Sequence, residues 1–304
     1  MRLLPTHSLL LPLWLFALSF FIIYGAWWLC KRLRWTKPNW RGEHVPMGLG
    51  ITFPLVWIAT DLSGSFSFGR YLLFFSIIGL VDDLWGDRSV GGLKGHFRVF
   101  LQERRLTTGA LKCVCIGLYS LWLAYAYHRS RALHPLWLSV LTSALLIALC
   151  TNAINLLDVR PGRALKGLAM LCLLILFPTV LFTSTGKQVS GALAGPVGLY
   201  LIPVLCYAPL DFRGRAMMGD AGSNALGALA GLYAVKTMSL PAQAMLTALL
   251  IFFHLFTEKH SVTTFFAQHP ALDWLDRLGT GRPRETNNSF AERHRKESPS
   301  APWQ

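Results

Sequence analysis

Charge of negative sign is scarce in this chain of 304 residues, which has 15 Asp and Glu residues against 29 Lys and Arg residues. Charged residues of both signs make up only 14% of the sequence, hydrophobic residues make up 53%, and the mean hydropathy is +0.42. So little charge excludes an ordinary soluble domain and predicts a polytopic membrane protein. The formal net charge of +14 lies mostly in short loops between apolar runs, which favours contacts with lipid over nucleic acid.

Several recurring site types are also missing. The six cysteines lie in or beside apolar runs and form no CxxC pair, so neither a zinc site nor a disulfide framework is predicted. No GK[ST] ending is found in the glycine-rich segments, which excludes a Walker loop. No internal repeat or inverted half is visible, which argues against a secondary transporter.

The apolar runs predict an all-α fold with about nine transmembrane helices. The predicted spans are Leu9–Cys30, Gly48–Thr60, Gly69–Val81, Thr107–Tyr127, Pro135–Leu157, Gly167–Phe182, Gly191–Ala208, Ala221–Met238 and Leu240–Phe256. With the N-terminus outside, the inner segments hold 22 of the 29 Lys and Arg residues, as the positive-inside rule requires. We therefore predict a transmembrane domain over residues 1–256 and a cytoplasmic tail over 257–304, disordered after about residue 279.

Two adjacent carboxylates, Asp82 and Asp83, end the third apolar run. An ionised group beside hydrocarbon is unfavourable by at least a few kcal/mol, so it indicates a functional site unless it merely begins a solvated loop. On a helix the two side chains diverge by roughly 100°, so we do not expect them to hold one ion together. One is expected to meet a metal or substrate while the other acts as a base or holds a lysine.

Two further polar clusters follow apolar runs at the same predicted membrane face. Asn152, Asn155 and Asp158 repeat at i, i+3 and i+6 on one helical stripe, which suits a polar ligand such as a nucleoside or, alternatively, hydrogen bonds between helices. Asp220 precedes a Gly/Ser-rich helix start, where a carboxylate can bind a metal or cap the helix. Basic residues of the inner loops could supply cations to phosphorylated reactants, and the candidates are Lys94, Arg98, Arg160 and Arg163.

Three motifs in this order resemble the polyprenyl-phosphate N-acetylhexosamine-1-phosphate transferases of glycosyltransferase family 4. They are VDDLWG at 81–86, NAINLLD at 152–158 and GDAGSNALG at 219–227. The segment WRGE…PMGLG at 40–50 resembles the first cytoplasmic loop of that family. Each motif alone is weakly specific, but three collinear motifs on one membrane face are a strong signal.

The resemblance implies Mg²⁺-dependent transfer of a sugar 1-phosphate from a UDP-sugar to undecaprenyl phosphate, with release of UMP. It implies that Asp82 and Asp83 are the catalytic pair and that Asp220 is the magnesium ligand. It also implies a multi-pass protein of the bacterial plasma membrane with a cytoplasmic active site, acting in cell-envelope glycan synthesis. The expected partners are membrane lipids and not nucleic acid. Whether the chain forms a homodimer is left open. Whether an aspartate attacks phosphorus or deprotonates the lipid phosphate is open, and we favour direct attack by the lipid phosphate.

The chain departs from the family pattern at three places. In DVRPG at 158–162, the second acid that the family has after the asparagines is absent. Arg98 stands where the family has a lysine. FTEKHS at 256–261 replaces a histidine-rich loop. Only His254, His260 and His269 lie nearby. Two alternatives to an active transferase are therefore left open. One is a catalytically silent relative that binds polyprenyl phosphate or organises an envelope-synthesis complex. The other is an unrelated transporter.

Overall fold

The computed structural model describes residues 7–61, 68–86, 102, 104, 107–129, 136–182 and 196–282. This part of the chain is almost entirely helical, which confirms the predicted fold class. The helices are α1 His7–Arg32, α2 Thr52–Asp61, α3 Gly69–Trp85, α4 Thr108–Arg129, α5 Leu136–Leu157, α6 Arg163–Phe182, α7 Pro196–Phe212, α8 Gly219–Thr237, α9 Leu240–Lys259, α10 Val262–Gln268 and α11 Pro270–Arg277.

A small β-hairpin in the loop after α1 is the exception that sequence reasoning missed. Strands β1, Thr36–Pro38, and β2, His44–Pro46, pair antiparallel, and a 3-10 turn follows at Leu49–Ile51. Each strand is three residues long and ends in proline. Such short strands leave no alternating pattern to detect, so the hairpin is formed by its contacts with the rest of the chain.

Helices occupy the predicted spans, with shifts at their ends. The largest functional consequence is in α3, which continues past the predicted end at Val81 to Trp85. Asp82 and Asp83 therefore lie in the last turn of a helix and do not begin a loop. A helix also begins at Arg163, four residues before the predicted span, so Arg163 belongs to the first turn of α6.

Four of the described helices are long and apolar enough to cross a membrane: α1 from Leu10, α4, α5 and α9. Large apolar side chains on their surfaces are exposed, as expected for helices that contact lipid; examples are Leu13, Phe21, Leu118, Met245 and Phe252. The chain is thus a membrane protein. The total of nine spans and the outside position of the N-terminus stay predictions.

Helix α8 is the central element, and every residue from Ala221 to Val235 is buried. It packs mainly against α5 and α3. Glycines allow this close approach, since a Cβ at Gly227 would overlap the Cys150 carbonyl and one at Gly231 would lie 2.7 Å from the Ile147 Cα. On α3, a Cβ at Gly79 would overlap the backbone of Asp220. These contacts fix Asp220 against the acidic end of α3.

Backbone hydrogen bonds attach the loop between α1 and α2 to the start of α8. The Met217 amide donates to the Pro46 carbonyl at 2.9 Å, and the Gly50 amide donates to the Met218 carbonyl at 3.0 Å. A Cβ at Gly50 would overlap the backbone of Gly222. The hairpin is therefore held at the same end of the bundle as Asp220.

The chain beyond residue 256 folds back on the bundle. Helix α9 continues to Lys259, and α10 and α11 follow it. Asp276 of α11 accepts two hydrogen bonds from Arg163 at 2.8 Å each and one from Arg282 at 2.9 Å. We call Arg163, Asp276 and Arg282 the C-terminal clamp. Of the tail predicted to be disordered after about residue 279, residues 280–282 are described with hydrogen bonds of their own, and residues 283–304 lie outside the described residues.

Candidate functional site

The two carboxylates at the end of α3 point to different partners, as their adjacent positions predict. Asp82 Oδ2 accepts a hydrogen bond from Lys112 Nζ at 2.6 Å. Asp83 Oδ2 accepts one from the Ala221 backbone amide at 3.1 Å, and the Asp83 carbonyl accepts one from Lys37 Nζ at 2.6 Å. Asp82 therefore meets a lysine of another helix, while Asp83 meets the start of α8.

Lys112, in the second turn of α4, joins α3 to α8 through its ammonium group. Its Nζ donates to Asp82 Oδ2 and also to Asp220 Oδ2. The side chains are only partly exposed, at 12% for Lys112, 16% for Asp82 and 26% for Asp220. We call Asp82, Asp83, Asp220 and Lys112 the acid cluster. Its members come from three helices that are far apart in the sequence.

The start of α8 explains why a glycine precedes Asp220. Gly219 has a φ of +69°, which glycine adopts without strain, and a Cβ there would overlap the Asp83 carboxylate. The N-cap residue is Met218, whose side chain makes no capping bond. Asp220 lies in the first turn and does not cap the helix, so the capping alternative for Asp220 is wrong. The Ala221 amide is instead satisfied from another helix, by Asp83.

Asn155 extends the acid cluster on the side of α5. With its amide oriented to satisfy its neighbours, its nitrogen donates to Asp220 Oδ1 at 2.9 Å and to Ser223 Oγ at 3.1 Å. Its oxygen accepts a hydrogen bond from Lys112 Nζ at 3.2 Å. Asn152 lies three residues earlier on the same helix and is partly exposed. Of the predicted asparagine stripe, Asn155 is thus the residue that contacts the acid cluster.

Asp158 lies in the turn that follows α5, close enough to the acid cluster for the charge of the cluster to affect its pKa. Burial raises the pKa of Asp158 well above its usual value, and the negative charges of Asp211, Asp220 and Asp83 raise it further. Asp158 therefore shares the electrostatic environment of the predicted catalytic and metal-binding carboxylates. Asp211 itself lies in the last turn of α7 and accepts a hydrogen bond from the Gly162 amide at 2.8 Å.

The acid cluster carries three carboxylates and one ammonium group, so a further cation would be attracted to it. Among the described residues, no group of three or more His, Cys, Asp or Glu side chains has an arrangement that could hold a metal alone. Mg²⁺ typically takes one or two protein carboxylates and completes its shell with water and substrate phosphates. The carboxylates of Asp82 and Asp220 are therefore a suitable donor set for Mg²⁺, provided that a phosphate supplies other ligands.

The predicted basic residues differ in what the structure gives them. Arg163 is 4% exposed and is fully engaged by Asp276 and by Thr263 Oγ1 at 2.9 Å, so its visible contacts are structural. The guanidinium of Arg160 lies over the Trp40 ring at 5.2 Å. Lys94 and Arg98 lie outside the described residues. Substrate binding by these four residues stays a prediction, and the geometry gives Arg163 no support for it.

The three histidines near the missing loop have other contacts. His254 Nδ1 is 2.7 Å from the Leu250 carbonyl, and His269 Nδ1 is 2.8 Å from the Phe265 carbonyl. The His260 ring lies against the Phe256 ring with centroids 4.9 Å apart. None of these contacts involves the acid cluster.

Sequence reasoning missed Lys112, Lys37 and Ser223 as parts of the site. Lys112 could have been found, because it lies five residues inside the predicted span beginning at Thr107, and a charge inside a span indicates function by default. In the sequence, Lys37 is one loop base among several, and Ser223 is part of a glycine-rich string. Their contacts depend on chain segments that no local pattern connects.

Comparison with known proteins supports a relationship over the middle of the chain. A sequence model of glycosyl transferase family 4 matches residues 65–238. The phospho-N-acetylmuramoyl-pentapeptide-transferase of Fervidobacterium nodosum is 28% identical over 174 residues, which are 55% of this chain and 50% of that protein. The chain thus spans about half the length of the curated relative it matches. The acid cluster and Asn155 lie within the segment that the family model matches, whereas Lys37 and two members of the C-terminal clamp, Asp276 and Arg282, lie outside it.

Proposed function

The chain belongs to glycosyl transferase family 4, and from that premise we propose that it transfers a sugar 1-phosphate to a polyprenyl phosphate. The donor is a UDP-linked N-acetylhexosamine, the acceptor is undecaprenyl phosphate and the nucleotide product is UMP. The reaction serves cell-envelope glycan synthesis in a bacterial plasma membrane. The observation that carries the proposal is that Lys112 joins Asp82 to Asp220 while Asp83 binds the start of α8 beside Asp220, because these acids come from distant parts of the sequence.

The reaction joins two anions and is balanced without an added oxidant or reductant. An oxygen of the lipid phosphate attacks the phosphorus that bears the sugar, and the bond from that phosphorus to the oxygen of the UMP phosphate breaks. The products are a polyprenyl diphosphate sugar and UMP. Repulsion between the two phosphates is the main obstacle, so positioned cations and hydrogen-bond donors should dominate catalysis.

Lys112 is the described cation best placed to reduce this repulsion. Its ammonium group is partly exposed and is held by Asp82 and Asp220, so its position is fixed before a substrate arrives. A fixed charge needs no reorganisation during the reaction and acts more strongly at a site with little water. In this proposal Lys112 faces the diphosphate of the donor.

Asp83 organises the other side of the site. Its carboxylate holds the start of α8 through the Ala221 amide, and Lys37 contacts its carbonyl. We assign the positioning of the lipid phosphate to Asp83 through the Lys37 ammonium group that its carbonyl holds, and contacts with the nucleotide to Asn152, Asn155 and Asp158. Direct attack by the lipid phosphate then needs no covalent enzyme intermediate.

Mg²⁺ is part of the proposal as a bound cofactor of the acid cluster. Asp220, with Asp82, would hold it, and its chemical contribution when bound is neutralisation of charge on the phosphates. In addition, Asp82 and Asp220 hold Lys112 in place, and Asp83 holds the start of α8.

The inner ends of the helices suit an acceptor that is itself a lipid. Asp82 and Asp83 close α3, and Asp220 opens α8, so the acid cluster lies at an end of the bundle and not at its middle. A polyprenyl phosphate has its phosphate at the headgroup level and its chain in the hydrocarbon. The acid cluster is therefore at the right depth for the phosphate. A homodimer stays a prediction.

A silent relative that binds polyprenyl phosphate is the second candidate. It is favoured by one observation, namely that Lys112 already satisfies one oxygen of Asp82 and one of Asp220. Such a pair could stabilise the bundle without catalysis. Against it, three carboxylates exceed the one ammonium group, and the partly exposed side chains of Asp82 and Asp220 keep free oxygens that attract a further cation.

The test uses the purified full chain with Mg²⁺, undecaprenyl phosphate and a panel of UDP-linked N-acetylhexosamines, and UMP release is measured. The proposed function expects UMP release with at least one donor and loss of that release in Asp83→Asn. If no donor is consumed while undecaprenyl phosphate still binds, the silent relative is the correct function.

The metal assignment has a separate readout. Asp220→Asn should move the Mg²⁺ concentration needed for half-maximal UMP release upward by about tenfold or more, in the range seen when a metal site loses a supporting group. Binding of undecaprenyl phosphate by the same variant should change little. An unchanged Mg²⁺ titration would remove Asp220 from the metal site.

A further inference from the structure

A cleft at the inner end of α1 gathers positive charge from three separate segments. Its volume is about 660 Å³, and four of its lining residues are Lys31 at the end of α1, Arg41 in the hairpin loop, and Arg213 and Arg215 in the turn after α7. We call it the basic cleft. Volumes of this size hold ligands as large as a phospholipid headgroup.

The charge of the basic cleft is strongly unbalanced. Glu43 is the single carboxylate in its lining, against four Lys and Arg residues. None of these four forms an ion pair with another residue in the part of the chain that the structure describes. Cations brought together in this way repel one another, so the folded chain gains stability when an anion enters.

The walls of the basic cleft are fixed by contacts of their own. The Trp27 indole nitrogen donates to the Arg215 carbonyl at 3.1 Å, and Asn39 Nδ2 donates to the Gly214 carbonyl at 3.1 Å. Lys31 Nζ lies over the Trp27 ring at 4.3 Å. The backbone that presents Arg213 and Arg215 is thus tied to α1 and to the hairpin, which makes the arrangement a built site and not a loose group of loop bases.

The position of the basic cleft selects a lipid as the source of the anion. Trp27 and Lys31 lie in the last turns of a helix long and apolar enough to cross the membrane. Beside them, Trp28, Leu29 and Leu33 are exposed. Tryptophan and lysine at a helix end mark the headgroup level, and basic pockets at this level bind anionic lipid headgroups. Acyl chains can then lie along the exposed side of α1.

We propose that the basic cleft binds the phosphodiester headgroup of an anionic membrane phospholipid. This inference does not rest on the proposed transferase function, because no residue of the acid cluster lines the basic cleft. The C-terminal segment 283–304 is a poor competitor by composition, since its four Lys and Arg residues outnumber its three Glu residues.

The test is native mass spectrometry of the full chain in detergent, titrated with phosphatidylglycerol and, in parallel, with phosphatidylcholine. We expect the wild type to bind phosphatidylglycerol at least tenfold more tightly than phosphatidylcholine. The double variant Arg213→Gln/Arg215→Gln should lose about 30-fold in affinity for phosphatidylglycerol, since each cation near an anionic headgroup contributes about 1 kcal/mol.

The matched control is Arg32→Gln, which removes the charge next to Lys31 from a residue that does not line the basic cleft. It should keep the wild-type affinity within about threefold, the size of a small surface effect. If the double variant does not fold, Lys31→Gln is used in its place. In either case, the charge-retaining variant Arg213→Lys/Arg215→Lys should bind phosphatidylglycerol as the wild type does.

Four results would overturn the proposal. Equal binding of the two phospholipids by the wild type would remove the headgroup preference. Unchanged phosphatidylglycerol binding in the double variant would place the lipid elsewhere. Displacement of phosphatidylglycerol by equimolar inorganic phosphate would indicate a site for free anions, and displacement by equimolar undecaprenyl phosphate would make the basic cleft part of the acceptor site.

Discussion

The acid cluster and the C-terminal clamp are both ionic networks at the ends of helices, yet their charges are arranged in opposite ways. In the C-terminal clamp, Asp276 receives both arms of Arg163 and a further bond from Arg282, and all three side chains are at most 7% exposed. In the acid cluster, carboxylates outnumber the ammonium group, and Asp220 is 26% exposed. The first network has cations in excess and is sealed, whereas the second has anions in excess and is open.

This difference separates a structural role from a functional one. A buried carboxylate held by two guanidinium groups has no capacity left for a ligand, and removing one partner leaves an uncompensated charge. Two partly exposed acids, Asp82 and Asp220, share one lysine and keep free oxygens, and with Asp83 they leave a net negative charge that attracts a further cation. The same residue types thus fix α11 in one place and prepare a site in the other.

The largest expected effect distinguishes the two networks by activity. Asp83→Asn should lower the rate of UMP release by about 100-fold or more, the size of effect expected when reacting groups are misplaced. The reason is that Asp83 holds the start of α8 next to Asp220. Steady-state UMP release with saturating donor measures it.

Its control in the C-terminal clamp region is Asp273→Asn, which breaks the partly exposed pair with Arg277. That variant should keep the wild-type rate, since a pair of this kind contributes only about 0.5 kcal/mol. Equal loss of activity in both variants would mean that the effect is on folding and not on the site.

Stability should respond most to the C-terminal clamp. Asp276→Asn leaves Arg163 and Arg282 buried without their carboxylate, so the free energy of unfolding of this region should fall by about 3 kcal/mol. Limited proteolysis between residues 260 and 282 and thermal unfolding in detergent measure the change. The rate of UMP release per folded molecule should stay close to that of the wild type, and a proportional loss would tie the C-terminal clamp to catalysis.

Lys112 gives a smaller and more specific effect on stability. Lys112→Gln removes the cation shared by Asp82 and Asp220, so the variant should be less stable by about 1–3 kcal/mol without divalent ions, as for a buried group that loses its partner. Added Mg²⁺ should raise the Tm of this variant more than that of the wild type, because the two carboxylates then lack any other cation. Equal Tm shifts would show that the ion does not bind between them.

The smallest effect is the pH dependence of the C-terminal clamp. Burial tends to raise the pKa of Asp276, but its hydrogen bonds and the charges of Arg163 and Arg282 prevail and hold that pKa below its usual value. A carboxylate with a lowered pKa in the folded state stabilises fully above its unfolded pKa of about 3.9, and the stabilisation is lost as pH falls through the folded value. The wild type should therefore lose its advantage in Tm over Asp276→Asn below about pH 4. A constant difference between pH 7 and pH 3 would contradict this.

Helices were predictable from the sequence because apolar runs of membrane-spanning length leave a strong local signal. The motifs that contain Asp82, Asn155 and Asp220 are also visible locally, since each places polar groups at the end or the start of an apolar run. The positive-inside rule then assigns these motifs to one membrane face. Neither signal shows that the side chains of the three motifs touch, so the candidate residues of the site were predictable and their contacts were not.

What the sequence could not supply is the set of contacts between distant segments. Lys112 is visible in the sequence as a charge inside an apolar run, but only the packing of α4 against α3 brings it to Asp82. The hairpin strands are too short to leave a pattern, and α11 lies in a polar stretch with the composition of a tail. Its folding depends on Arg163, which lies more than a hundred residues earlier in the chain.

The burial of α8 on all sides has a consequence for biosynthesis. A helix that presents almost no surface to lipid has little reason to remain in the bilayer alone, and it must enter a groove already formed by α3 and α5, which the ribosome delivers earlier. Asp220 then reaches Lys112 only in the last part of membrane insertion. Chains arrested before residue 237 should therefore contain folded helices but no assembled acid cluster.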